Sequence, residues 1–179
     1  MSDLTEKTIQ SKDIYQGKVI NLQVDDVELP DGGTSKRELV KHPGAVAVIA
    51  VTKDGRLVLV RQYRKALEKT IYEIPAGKLE PGEAPEVTAR RELAEETGFQ
   101  CDQLEPLVSF YTSPGFADEL VHVFYTDTLT DGEQQLDDDE FLDQHEVTVD
   151  EALQMIAAQT IHDAKTVYAV QYLQLKKHI

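Results

Sequence analysis

The sequence predicts a mixed α/β fold that is not a regular βαβ series, and three observations carry that expectation. Residues 45–51 form an apolar, β-branched run with the make-up of a buried strand. A short acidic helix is expected to end at Gly98, a residue suited to the left-handed conformation that closes helices. Further along, Thr148-Val149-Asp150-Glu151 has the spacing of a capping box at the start of another helix.

Taken in order, residues 14–42 read as a separate antiparallel unit. Val19, Leu22, Val24, Val27 and Leu29 lead to Pro30-Asp31-Gly32-Gly33, a strong turn signal, and the chain returns through residues 35–41. His42-Pro43-Gly44 marks a boundary between an N-terminal β unit, residues 1–43, and a main domain, residues 44–179. Lys53-Asp54-Gly55 is expected to turn the strand at 45–51 into residues 57–63 as a second hairpin. Residues 104–111 and 120–128 read as further strands. The capping box opens a helix running to about residue 158. Asp163 caps a last helix, in which Val167, Val170 and Leu173 recur at roughly helical spacing. There is no internal repeat, and the one biased tract is acidic, residues 137–140.

A hydrophobic fraction of 41% over 179 residues is enough for a substantial core. The net charge of −15 argues against nonspecific nucleic-acid binding, and it obliges an anionic substrate to find local positive charge. The single cysteine, Cys101, has no intramolecular disulfide partner and reads as a packed thiol. The opening MSDLTEKTIQ lacks the basic and apolar regions of a signal peptide, and no apolar run is long enough to span a membrane. A soluble cytoplasmic protein is expected. The five histidines form no ligand cluster and read as structural or surface residues.

The chemistry concentrates in residues 77–99, GKLEPGEAPEVTARRELAEETGF. Glu92 and Glu96 lie one helical turn apart and project from one face; like charges so placed cost about 0.2–0.5 kcal/mol per pair. A hard divalent cation, which takes oxygen ligands, offsets that repulsion. Gly77 and Gly82 permit a tight loop before the helix, while Ala89 and Leu93 are placed to anchor it on the sheet. A merely solvated acidic helix would explain neither the spaced glycines nor Arg91.

This segment resembles the Nudix box, GX5EX7REUXEEXGU with U a bulky apolar residue, at Gly77, Glu83, Arg91, Glu92, Leu93, Glu95, Glu96, Gly98 and Phe99. The resemblance implies the Nudix fold, a mixed sheet sandwiched between helices, and hydrolysis of a pyrophosphate bond. It implies Mg2+ as cofactor, with Mn2+ able to replace it. Glu92 and Glu96 are then the principal metal ligands, the carbonyl of Ala76 a further one, and Glu83 and Glu95 nearby ligands or supports of water. Arg91 is expected to orient a glutamate. The catalytic base or an added ligand comes from the later acidic loop, with Glu140 the first choice and Asp138 the second.

Ser113-Pro114-Gly115-Phe116 begins fourteen residues beyond Phe99. A proline near that distance is similar to the marker of the ADP-ribose pyrophosphatase branch, which also carries an additional N-terminal β unit. By the same resemblance, Arg37 and Glu38 read the adenine from a partner subunit, Arg64 contacts phosphate, and Pro114 and Gly115 line the substrate site. A homodimer with exchanged N-terminal units follows, acting on ADP-ribose. The alternatives are a pyrophosphatase for another nucleotide sugar such as GDP-mannose, and a non-hydrolysing ADP-ribose sensor.

Overall fold

In the computed structural model, which describes residues 3–136 and 140–176, the chain separates into two units. One comprises Met1–Gly44 and Phe110–Val121, the other Ala45–Ser109 and His122–Ile179.

The first unit is an antiparallel sheet of β1 (Lys7–Gln16), β2 (Asn21–Glu28) and β3 (Thr34–Lys41), in that order. Its Pro-Asp-Gly-Gly turn closes through Leu29 N–H donating to the Gly33 carbonyl at 2.8 Å. Gly32 takes φ 82° there, where a side chain would be strained. The Gly33 amide donates to the Asp31 carboxylate at 2.9 Å, the local bond that favours Asp in turns. Strand β1 was not expected, because every residue of KTIQSKDIYQ is exposed and none of the usual half-buried alternation is present. It exists through pairing with β2. Residues 113–117 form a turn in which Ser113 O accepts from the Phe116 and Ala117 amides. That turn is fastened to the end of β3 by Val40 N–H to Phe116 O and Asp118 N–H to Val40 O.

The second unit contains β4 (Ala45–Ala50), β5 (Leu57–Arg64), β6 (Lys69–Glu73), β7 (Ala76–Lys78), α1 (Pro85–Thr97), β8 (Gln100–Cys101) and β11 (Leu129–Thr130). It also holds β12 (Leu142–Val147), α2 (Val149–Ala157), α3 (Ala164–Lys176) and most of β9 (Glu105–Tyr111) and β10 (Leu120–Thr126). Its sheets run β7-β4-β10-β9 and β12-β5-β6, with a short β11-β8 pair. The expected hairpin between residues 45–51 and 57–63 does not form. The turn is present, with Gly55 at φ 81°, but only a single Val51–Leu57 bridge joins the two strands. Strand β4 lies between β7 and β10, and β5 between β12 and β6, so neither has an edge free for the other.

Helix α1 buries Ala89 and Leu93 completely against Val46, Val48, Ala50, Val58 and Phe124. Helix α3 packs on β6, and α2 packs on α3. The capping box is complete, Thr148 Oγ1 accepting from Glu151 N–H at 3.2 Å and Glu151 Oε2 from Thr148 N–H at 2.7 Å. Asp163 caps α3 through Thr166 N–H at 3.1 Å. The buried stripe of α3 is Thr166, Ala169, Val170 and Leu173, with Val167 at its margin. Among the described residues, no helix is long and apolar enough to cross a membrane.

Candidate active site

The approach to α1 determines where its carboxylates point. Gly82 turns the chain at φ 83°, and Pro85 sits in the first turn of the helix, where its missing amide costs no hydrogen bond. At the other end Gly98 adopts φ 74° and returns its amide to Ala94 O at 2.8 Å. The carbonyls of Glu95 and Glu96 are satisfied by Gln135 N–H at 3.1 Å and Gln134 Nε2 at 2.6 Å. Both ends of the box helix are thereby fixed.

On its sheet-facing side, Glu96 is only 2% exposed, and its Oε2 accepts from the Ala76 amide at 2.9 Å. Burial pushes its carboxyl up to about 8 against the help of that amide, and the charges of Glu140 and Glu92 push the same way. Glu92 is raised too, chiefly by burial, with Arg91 opposing and Glu95 and Glu140 adding to the rise. Gly77 gives the Glu92 carboxyl its space, since a Cβ there would fall 1.9 Å from Glu92 Cδ.

Arg91 fans across three glutamates. Its Nη1 donates to Glu92 Oε1 at 2.9 Å and Glu95 Oε2 at 2.8 Å, and its Nη2 to Glu83 Oε2 at 3.2 Å. Burial disfavours the guanidinium charge, but these carboxylates outweigh it and raise its pKa further. Glu83 is held low by the Thr88 hydroxyl, at 2.8 Å, and then by Arg91.

Glu140 precedes β12, and the β12–β5 ladder pairs Leu142 with Gln62. Gln62 Nε2 reaches Glu140 Oε1 at 3.4 Å. That ladder brings Glu140 near enough to the box for its charge to act on Glu92 and Glu96. The sequence offered no clear strand signal in LDQHEV, so β12 was not foreseen. Asp138 lies outside the described residues. A cavity of about 460 Å3 opens beside Glu140, lined in part by Arg61, Tyr63, Thr70 and Phe141.

Arg64 ends β5 and makes a two-pronged bond to Glu73, Nε to Oε1 at 2.5 Å and Nη2 to Oε2 at 2.9 Å. Its charge also reaches Glu96, whose carboxyl it lowers. Glu73 and its second partner, Lys165, were not singled out from the sequence. The signal was one acidic residue among the apolar neighbours of IYEIP. The remaining expected site residues belong to the first unit. Arg37 Nε donates to Glu6 Oε2 at 2.8 Å and its Nη1 to Ser35 Oγ at 2.9 Å. Glu38 stands opposite Val24 in the β2–β3 ladder, and Pro114 and Gly115 lie in the turn after Ser113.

Among the described residues, no three acidic or histidine side chains already surround one point at metal-binding distance. The donor set nevertheless fits a hard cation. Glu92, Glu96 and Glu140 are oxygen donors that disfavour one another's ionisation, and Glu96 is buried with one amide as its hydrogen-bond donor. A divalent ion would offset the mutual repulsion of such a set.

Residues 41–169 match the family profile described as NUDIX domain, and residues 6–40 match a nucleoside diphosphate sugar hydrolase N-terminal domain. The chain is 62% identical to the methanol dehydrogenase activator of Bacillus methanolicus, over 96% of this chain and 94% of that protein. It is 58% identical to the ADP-ribose pyrophosphatase of Bacillus subtilis (strain 168), over 99% of this chain and 97% of that one. A crystal structure of an ADP compounds hydrolase shares its fold at TM-score 0.84 and 20% identity, covering 98% of this chain and 96% of that one.

Proposed function

Because this chain belongs to the Nudix hydrolase family, we propose that it hydrolyses the pyrophosphate bond of ADP-ribose, with Mg2+ as cofactor, to give AMP and ribose 5-phosphate. The observation that carries the chemistry is the buried Glu96, aimed by the Ala76 amide beside Glu92 and Glu140. The choice of substrate is supported by the 58% identity to an ADP-ribose pyrophosphatase along nearly the whole chain.

Glu92, Glu96 and the Ala76 carbonyl would hold the ion, with Glu83 and Glu95 as nearby ligands or supports of water. When bound, the cation neutralises phosphoryl oxygens and makes a coordinated water more acidic. Mn2+ substitutes at the same oxygen donors. Arg91 keeps Glu92 and Glu95 in register with Glu83. Glu140, or Asp138 in its place, accepts the proton as the water oxygen bonds to one phosphorus and the bridging P–O bond breaks. Arg64 contacts the pyrophosphate, for which a planar guanidinium is well matched.

The N-terminal β unit, residues 1–43, serves dimerisation and substrate recognition in this reading. Its first strand leaves Ile9, Ile14 and Tyr15 at least half exposed, which supports a homodimer with exchanged N-terminal units. Arg37 and Glu38 of one subunit then read the adenine bound to its partner, and Pro114 and Gly115 line the same site. Phosphate release from a panel of ADP-ribose, GDP-mannose and dinucleotides, coupled to a phosphatase, tests the substrate. Greatest turnover of ADP-ribose is expected; preference for GDP-mannose would reassign it.

A second reading rests on the 62% identity to a methanol dehydrogenase activator: the chain also stimulates such a dehydrogenase. Adding catalytic amounts of this protein to a methanol dehydrogenase assay with Mg2+ tests it.

A further inference from the structure

Beneath Arg64 lies a buried ionic chain. Glu73, at the end of β6, is 2% exposed and accepts both prongs of the Arg64 guanidinium. Its Oε2 also accepts from Lys165 Nζ, and Lys165 Nζ donates to Asp163 Oδ1 at 2.9 Å. The side chains of Lys165 and Asp163 are 16% and 17% exposed, whereas that of Arg64 is 40% exposed. The buried end of the chain therefore sits under α3, and the open end is a guanidinium.

Buried ion pairs seldom add net stability, so an arrangement of four charges calls for another account. Geometry supplies one. Both oxygens of Glu73 are engaged, so its carboxylate plane is fixed, and a two-pronged bond transmits that plane to the guanidinium. Arg64 is also near enough to Glu96 for its charge to act on that carboxyl.

We infer that Lys165 of α3 is a positioning residue for the substrate pyrophosphate: acting through Glu73, it holds the Arg64 guanidinium in the orientation that binds the phosphates. The inference rests on the reading of the chain as an ADP-ribose pyrophosphatase. Among the described residues, the Lys165 ammonium bonds to Glu73 and Asp163, not to the box carboxylates. Its contribution is to ground-state and transition-state binding alike, and it appears in KM more than in kcat.

The test measures ADP-ribose binding by calorimetry in EDTA, where no turnover occurs, and steady-state kinetics with Mg2+. Lys165→Met leaves Glu73 with a single cationic partner and is expected to lose stability. The double variant K165M/E73Q, which removes one buried charge of each sign, is the companion that keeps the fold testable. Kd and KM rise about tenfold in both, and kcat falls less than threefold. Lys165→Arg restores most of the affinity. In an Arg64→Gln background, the K165M/E73Q substitutions add less than a twofold further loss.

A Kd for folded K165M/E73Q within twofold of the wild type, or a loss that multiplies with that of Arg64→Gln, overturns the inference and leaves the pyrophosphatase reading standing. Absence of both ADP-ribose binding and ADP-ribose turnover in the wild type overturns that reading, and the inference with it.

Discussion

Gly77 lies directly against the carboxyl group of Glu92, so close that a single added methyl would fall 1.9 Å from Glu92 Cδ. The first residue of the box motif is thus a space reserved for the carboxylate 15 residues further along. Its backbone is also in the β7–β4 ladder, opposite Val46, so the space cannot easily widen. Gly77→Ala is expected to displace Glu92 while leaving the core intact. A displacement of about 1 Å at a reacting centre costs on the order of a hundredfold in rate. Measured kcat/KM should fall by about that factor, with a thermal midpoint within a few degrees of the wild type.

Glu140 and Asp138 compete for the role of base. Pairing of β12 with β5 and the bond from Gln62 bring Glu140 to the box. Glu140→Gln is therefore expected to lower kcat by about a hundredfold or more, in the range of general-base losses, and Asp138→Asn by less than tenfold. Comparing kcat for the two at saturating ADP-ribose decides between them, and the reverse order would move the role to Asp138.

Acid should reach the Arg64–Glu73–Lys165 chain only after the raised carboxylates of the box have taken up protons. Burial alone would raise the Glu73 carboxyl, but the Arg64 bond and the Lys165 charge outweigh it and hold it at about 2, below its usual 4.5. A depressed carboxyl adds stability that is fully present above pH 4.5 and is lost as pH falls through about 2. The shift corresponds to something on the order of 3 kcal/mol. Urea midpoints measured at pH 5 and pH 3 should fall more in the wild type than in K165M/E73Q, where that carboxylate is absent.

The capping box on α2 is remote from the chemistry and tests the fold alone. Thr148→Ala removes the oxygen that receives the Glu151 amide and should cost about 1 kcal/mol by urea unfolding. Thr148→Asp should recover most of it, and kcat should change in neither.

The elements that were legible in the sequence are those whose signal is local. The PDGG turn, the Thr148–Glu151 cap, the Gly98 terminus and the Ala89–Leu93 anchor each follow from a few neighbouring residues, and each is in the structure. What was illegible depends on distant partners. Strand β1 carries no buried face, and β12 is made a strand by pairing with β5. The false 45–63 hairpin came from a sound turn signal, which cannot say that β4 and β5 each find other neighbours. In the site, the box carboxylates were legible through their fixed spacing. Glu73 and Lys165, 92 positions apart, meet only when α3 packs on β6.

The most direct measurement is product analysis after incubating ADP-ribose and Mg2+ with the wild type and with Glu96→Gln. A glutamine preserves the bond from the Ala76 amide and cannot take on a buried charge, so the variant should melt no lower than the wild type. The account predicts AMP and ribose 5-phosphate in equal amounts from the wild type, and at least a hundredfold less from the variant. Full activity in folded Glu96→Gln, or intact ADP-ribose after incubation with the wild type, would contradict it.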